Sequence, residues 1–185
     1  MGTVMHPDVA EILLTEKQIQ QRLDALAAEI RLMYTEKELT LIGVLTGTVM
    51  FMADLLRRLP GPLRIDYIGV ASYHGGTHTT NDLIITKSLR LDVRDRDVLV
   101  VDDILDTGHT LVKVREILTP LGARSIRYCV FLEKDVPHCA GARADFVGFH
   151  IPDKFVIGYG LDYHERYRNL PYIATLRAEI ISAGP

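Results

Sequence analysis

Residues 98–112 read Val-Leu-Val-Val-Asp-Asp-Ile-Leu-Asp-Thr-Gly-His-Thr-Leu-Val, and this run leaves the chain little choice of architecture. Its first four residues are apolar and mostly β-branched, which suits a strand buried on both faces inside a parallel sheet. Two acids, Asp102 and Asp103, stand at the C-terminal edge of that strand, and a third, Asp106, follows. Thr107, Gly108, His109 and Thr110 then open an amphipathic helix with Leu111, Val114, Ile117 and Leu118 on one face. Strand, small-residue loop and helix N-terminus together form an anion site, because backbone N–H groups and the helix dipole converge on one spot. Gly108 lets the backbone approach a phosphate, and Thr107 and Thr110 add hydroxyl donors. The acids alone would repel that phosphate. They make sense if the ligand also carries a ribose and a magnesium ion, since carboxylates hold both sugar hydroxyls and hard cations. No Gly-Lys-Ser/Thr follows, so the loop is not a Walker A loop.

The remaining chain supplies a matching frame. Thr15-Glu-Lys-Gln18 has the form of a capping box opening a helix to about Tyr34, with Ile19, Leu23, Leu26, Ala27 and Ile30 on one face. Strands are expected over residues 41–45, 63–71, 98–101 and 126–132, with short ones over 146–149, 155–157 and 172–175. A helix is expected over about 49–59, and residues 72–81, rich in Gly, His and Thr, read as a long exposed loop. Strands alternating with helices imply right-handed crossovers and a mostly parallel α/β sheet, whose ligands sit at the carboxyl ends of the strands. The loops beginning at Thr46, Asp102 and Lys134 all start at such ends and can face one pocket.

The segment from Val100 to Thr110 closely resembles the fingerprint of the phosphoribosyltransferases, enzymes that use 5-phosphoribosyl-1-pyrophosphate. Over about residues 15–174 the chain is similar to hypoxanthine or hypoxanthine-guanine phosphoribosyltransferases of the short bacterial type. That resemblance implies a type I phosphoribosyltransferase fold in one domain, with a core of about 36–133 and a hood from about 1–14 and 134–185. It implies that Thr107, Gly108, His109 and Thr110 hold the 5′-phosphate, and that Asp102 and Asp103 hold the ribose and magnesium. Asp106 corresponds to the residue near purine N7, the candidate general base or proton-bearing partner. Thr46 and Gly47 fall on the pyrophosphate loop, Ser72 and Tyr73 on the mobile lid, and Arg168 on an arginine that reaches pyrophosphate. Lys134 corresponds to the donor to the purine 6-oxo group, which suits an ammonium with donors and no acceptor. Phe155 matches the ring that stacks on the purine, Val156 the backbone that meets its edge, and Asp162 a carboxylate near the base and a second magnesium. Two positions depart from the family pattern: Thr46 replaces a usual Lys or Arg, and Asp102 a usual Glu.

The expected activity is transfer of the phosphoribosyl group to hypoxanthine and guanine in purine salvage, by a cytoplasmic homodimer or homotetramer. A xanthine-preferring relative and a non-catalytic regulator that senses phosphoribosyl pyrophosphate are the alternatives. A nucleic-acid-binding regulator calls for a basic face or added domain, whereas 21 basic and 24 acidic residues in 185 give a net charge of −3. No apolar run approaches the roughly 20 residues of a membrane span. The N-terminal residues lack the apolar core of a signal peptide. Cys129 and Cys139 have neither a disulfide framework nor zinc-ligand spacing and are expected to stay reduced.

Overall fold

The structure, a computed structural model, describes residues 5–35, 38–72 and 83–183. Its elements run β1 (Val9–Leu14), α1 (Glu16–Met33), β2 (Leu39–Leu45), α2 (Val49–Leu56), β3 (Leu63–Ser72), β4 (Leu83–Lys87), β5 (Asp97–Leu105), α3 (His109–Leu118), β6 (Ser125–Lys134), β7 (Phe146–Ile151), β8 (Ile173–Leu176) and α4 (Ala178–Ala183). Six strands form one sheet in the order β4-β3-β2-β5-β6-β7. The β3-β2-β5-β6-β7 neighbours are parallel, and β4 is antiparallel at one edge.

The central strand shows why this chain must be a layered α/β protein. Leu99 and Val101 join Leu41, Cys129 and Phe131 in a core packed under α1 and α2. Val98 and Val100 join Ile42, Tyr128 and Val130 under Leu111, Val114 and Leu118 of α3. Successive side chains thus enter opposite cores, as the period of a strand requires. Residues 98–101 are all 1% exposed or less, so both faces need a covering helix.

Helix α1 begins at the expected capping box. Gln18 N donates to Thr15 Oγ1 at 3.3 Å, and Thr15 N donates back to Gln18 Oε1 at 2.9 Å. Its buried side chains are Ile19, Leu23, Leu26, Ala27 and Ile30. On the far side of the sheet from β4, Arg22 reaches from α1 to the edge strand β7, donating through Nε to Gly148 O (2.8 Å) and through Nη2 to Val147 O (2.7 Å).

Several boundaries differ from the sequence reading. β5 does not stop before the acids but carries Asp102 and Asp103 within it to Leu105, because β6 continues alongside, pairing Asp102 with Val130 and Ile104 with Leu132. Lys134 likewise lies inside β6. Ser72 ends β3 and pairs with Leu83 of β4. Residues 155–157 make no strand: Ile157 forms one isolated bridge to Ala174, after which Gly158, Tyr159 and Gly160 turn the chain with positive φ. β1 and β8 form a separate two-stranded sheet over Val9, Ile157, Tyr172, Ala174 and Leu176. Tyr73 and the rest of the expected lid lie outside the described residues.

Leu99 is fully buried at the centre of the larger core. Leu99→Ala should cost about 2–5 kcal/mol, the usual range for such a cavity. Thermal unfolding should show a fall of roughly 2–4 °C per kcal/mol at this chain length. Leu32, which is 82% exposed, should tolerate the same change with no comparable fall.

Candidate active site

β2, β5 and β6 are adjacent and parallel, so their carboxyl ends and the loops that follow lie side by side. At the end of β5, Asp106 and Thr107 lead to Gly108, which has φ +89° and is the residue before α3. No side chain caps this helix, so its first N–H groups keep no capping partner and remain available to an anion. Gly108 is buried, and a Cβ there would meet Ala142 Cβ at 2.2 Å. The loop is braced from behind, where Cys139 N donates to Thr107 O at 2.8 Å. Thr107 and His109 are exposed, and Thr110 is half-buried.

Asp102 is buried, and Asp103 N donates to its Oδ1 at 3.0 Å. Burial first, and then the neighbouring Asp103 charge, raise the Asp102 carboxyl well above the usual range. Burial also raises Asp103, against the opposing field of Arg168. Arg168 is itself paired with Asp162 (2.9 Å) and Glu165 (3.0 Å). Among the described residues Arg168 acts on Asp103 through its field alone, with no ion pair to either carboxylate.

The turn after β2 sits directly on that pair. The Leu45–Thr46 peptide is cis. A Cβ on Gly47 would lie 1.6 Å from Asp103 Oδ2, so any side chain there would have to displace the Asp103 carboxylate. From the other side Gly160 presses on the same residue: its own Cβ would lie 1.9 Å from Gly47 O. Arg168 Nη1 holds this segment by donating to Gly160 O at 2.9 Å. Gly47 is therefore clasped between the Asp103 carboxylate and the backbone at Gly160.

Lys134, the last residue of β6, joins the loops that follow β5 and β7. Its Nζ lies 2.9 Å from Asp106 Oδ2 and 3.2 Å from Asp153 Oδ1, with the side chain only 13% exposed. Burial works against its charge, but the bonds to Asp106 and Asp153 outweigh this and raise its pKa. Two residues beyond Asp153, the Phe155 ring is 52% exposed, and Tyr163 meets it edge-on at 5.7 Å. Val156 beside it is buried.

The structure thus brings Asp106 to Lys134, Gly47 to Asp103, and Arg168 to Asp162. It does not bring Asp102, Asp103 and Asp162 together: among the described residues no group of three or more acidic, His or Cys side chains is disposed to hold a metal ion. Asp162 instead accepts from Arg168 and from Glu165 N. Ser72 lies at the carboxyl end of β3, next to β2 in the sheet, and Tyr73 lies outside the described residues. The sequence reading missed Asp153, Tyr163 and Gly160. Asp153 and Gly160 lie within the stretch Pro152-Asp-Lys-Phe155 to Gly158-Tyr-Gly160, but their partners Lys134 and Gly47 are distant in the chain.

The family model for the phosphoribosyl transferase domain matches residues 9–164. Hypoxanthine-guanine phosphoribosyltransferases of Staphylococcus epidermidis and Staphylococcus aureus are 45% identical to this chain over 178 residues, covering 96% of it and 99% of the relative. Among solved structures, a Staphylococcus aureus hypoxanthine phosphoribosyltransferase superposes with a TM-score of 0.90 at 45% identity, covering 97% of this chain and 98% of the other. A Trypanosoma cruzi hypoxanthine phosphoribosyltransferase does so with a TM-score of 0.90 at 34% identity, covering 97% of each. The chain belongs to the phosphoribosyltransferase family, among its hypoxanthine-guanine phosphoribosyltransferases.

Proposed function

We propose that this enzyme transfers the 5-phosphoribosyl group from phosphoribosyl pyrophosphate to N9 of hypoxanthine and guanine. The bond from C1′ to pyrophosphate breaks, the bond from C1′ to N9 forms, and the purine loses one proton. The observation that carries this reading is the convergence, at neighbouring strand ends, of a helix N-terminus without a side-chain cap, an acid pair whose carboxyls burial raises, and a lysine held to Asp106 and to Asp153, two residues before an exposed aromatic ring.

Residues 107–110 receive the 5′-phosphate on their backbone N–H groups, with the threonine hydroxyls adding donors. Asp102 and Asp103 take the ribose hydroxyls and magnesium. The donor set fits that ion: magnesium favours a few carboxylates plus substrate oxygens over an all-protein cage, and here two adjacent carboxylates have no ion-pair partner among the described residues. When bound, it neutralises charge on the departing pyrophosphate. Thr46, Gly47, Ser72, Tyr73 and Arg168 serve the pyrophosphate side, and Asp162 the base edge. Phe155 stacks on the purine, and Val156 meets its edge through the backbone. Lys134 and Asp106 touch, so one ring can meet both: its 6-oxo oxygen accepts from Lys134 while its imidazole nitrogen delivers a proton to Asp106. The ribosyl centre becomes cationic, and catalysis rests on positioning and electrostatics.

The division into a core and a hood is part of this reading, supported by the small β1–β8 sheet with its own apolar cluster. So is a cytoplasmic homo-oligomer. No helix among the described residues is long and apolar enough to cross a membrane, and an apolar groove of about 470 Å³ beside exposed Leu32 offers a surface to a second copy.

Initial rates with phosphoribosyl pyrophosphate, magnesium and each of hypoxanthine, guanine, xanthine and adenine test the proposal directly. Hypoxanthine and guanine should turn over. Adenine should be rejected by a factor on the order of 10⁴, because a buried donor is left facing an amine. Lys134→Ala should raise KM for hypoxanthine more than for phosphoribosyl pyrophosphate. Equal turnover of adenine would remove Lys134 from base selection.

Asp106→Asn should lower kcat by roughly 10²–10⁴-fold, the range for a lost acid–base group. Binding of phosphoribosyl pyrophosphate, followed by calorimetry, should change little. Wild-type turnover in this variant would exclude Asp106 from proton transfer.

Asp102→Asn should separate stability from function. A carboxyl whose pKa is raised by folding costs nothing at low pH, where it is protonated in both states. It destabilises the fold as pH rises through its folded pKa. The amide keeps an oxygen to accept from Asp103 N. The ligand-free variant should therefore melt above the wild type, by roughly 2–6 °C near neutral pH. The gap should shrink toward the acid side, and magnesium-dependent transfer should be lost. A gap that does not vary with pH would contradict the burial argument.

A further inference from the structure

Tyr159 stands between two glycines and shares their left-handed backbone: φ is +95° at Gly158, +48° at Tyr159 and +106° at Gly160. A bulky aromatic residue rarely adopts this conformation, and where it does, the surroundings must hold it there. Three contacts do so. Tyr159 N donates to Leu170 O at 2.8 Å. Its ring packs against Phe131 in the larger core, with centroids 4.8 Å apart. Its hydroxyl donates to Asp54 Oδ2 at 2.6 Å. Burial, and then that carboxylate, push the hydroxyl's pKa upward, so it stays a donor.

Asp54 belongs to α2, the helix that grows straight out of the turn at residues 46–48. It is held in turn by Gln20 Nε2 at 3.2 Å and by Arg57. One residue beyond Tyr159, Gly160 bears on the carbonyl of Gly47. The segment 158–160 therefore grips the turn-and-helix unit twice, at Gly47 through backbone and at Asp54 through the tyrosine hydroxyl. A segment held at both points cannot slide along the turn.

We propose that the Tyr159–Asp54 hydrogen bond is a positioning device for the turn at Thr46–Thr48, fixing where Gly160 bears on Gly47 and so presetting the turn's amides for pyrophosphate. This rests on the reading of that turn as the pyrophosphate loop. Tyr159 and Asp54 act through Gly160, Gly47 and α2, so their effect falls on the pyrophosphate end of the site. The purine end, built on Lys134 and Phe155, is reached by other contacts.

Kinetics in both directions, with melting temperatures, test the pair. Tyr159→Phe removes one oxygen and keeps the ring. KM for phosphoribosyl pyrophosphate, and for pyrophosphate in the reverse reaction with inosine monophosphate, should rise by about 5–10-fold, the scale of one lost hydrogen bond. KM for hypoxanthine should stay within about twofold on the same scale. Asp54→Ala should reproduce this pattern, and Asp54→Asn, which keeps an oxygen acceptor, should stay near wild type. The double variant Y159F/D54A should be no worse than the worse single one, since both remove the same bond. Additive losses, an equal rise in hypoxanthine KM, or a lower melting temperature with unchanged pyrophosphate KM would each overturn the proposal. Hydrogen exchange of wild-type enzyme over residues 46–49, with and without magnesium pyrophosphate, checks the underlying reading separately. Protection there with an unaffected Tyr159→Phe enzyme overturns the positioning role alone; no protection overturns the assignment of the turn.

Discussion

The Asp103 carboxylate set against the backbone of Gly47 is the contact on which the rest of the site depends. It can exist only because β2 and β5 are adjacent and parallel, so that the turn leaving one strand falls over the last residues of the other. The sheet in turn needs residues 98–101 buried on both faces to place that carboxylate at its centre. A hydrophobic constraint thus fixes an electrostatic one. The strand is held in place by close apolar packing, and toward its end it carries two carboxylates where the same burial makes charge costly.

This opposition explains the division of labour around the pocket. Among the described residues the two carboxylates have no ion-pair partner and the helix N-terminus has no side-chain cap, and the two lie a few residues apart along one chain segment. In the proposed function a ligand bearing both phosphate and a metal-bound pyrophosphate meets both at once. The lysine side of the site differs. Lys134 already has two acidic partners and needs nothing from the substrate to be charged, so it can act as a discriminating donor.

What was legible in the sequence was whatever is local. The capping box at Thr15, the two-faced strand at 98–101 and the loop into α3 are each written in fewer than twenty consecutive residues, and each stands where the periodicity places it. What escaped was long-range pairing. β1 carries Glu11 in its middle and pairs with β8, with Val9 opposite Leu176, so no nearby pattern marks it as a strand. β4 is a half-exposed edge strand. Residues 155–157 have a strand's composition, but the left-handed turn at Gly158, Tyr159 and Gly160 follows at once and bends the chain over the pocket. Asp153 and Gly160 were missed for the same reason: each matters through a partner brought in by the fold.

Arg22 has a consequence away from the chemistry. β7 ends the six-stranded sheet, and an end strand normally presents unpaired backbone acceptors on which another chain can build. Here a single guanidinium, delivered by α1, occupies the carbonyls of Val147 and Gly148. A visiting strand that sought those carbonyls would first have to displace a cation from them. The first long helix of the chain thus acts as a stopper on that side of the sheet, shielding it from templated growth between molecules.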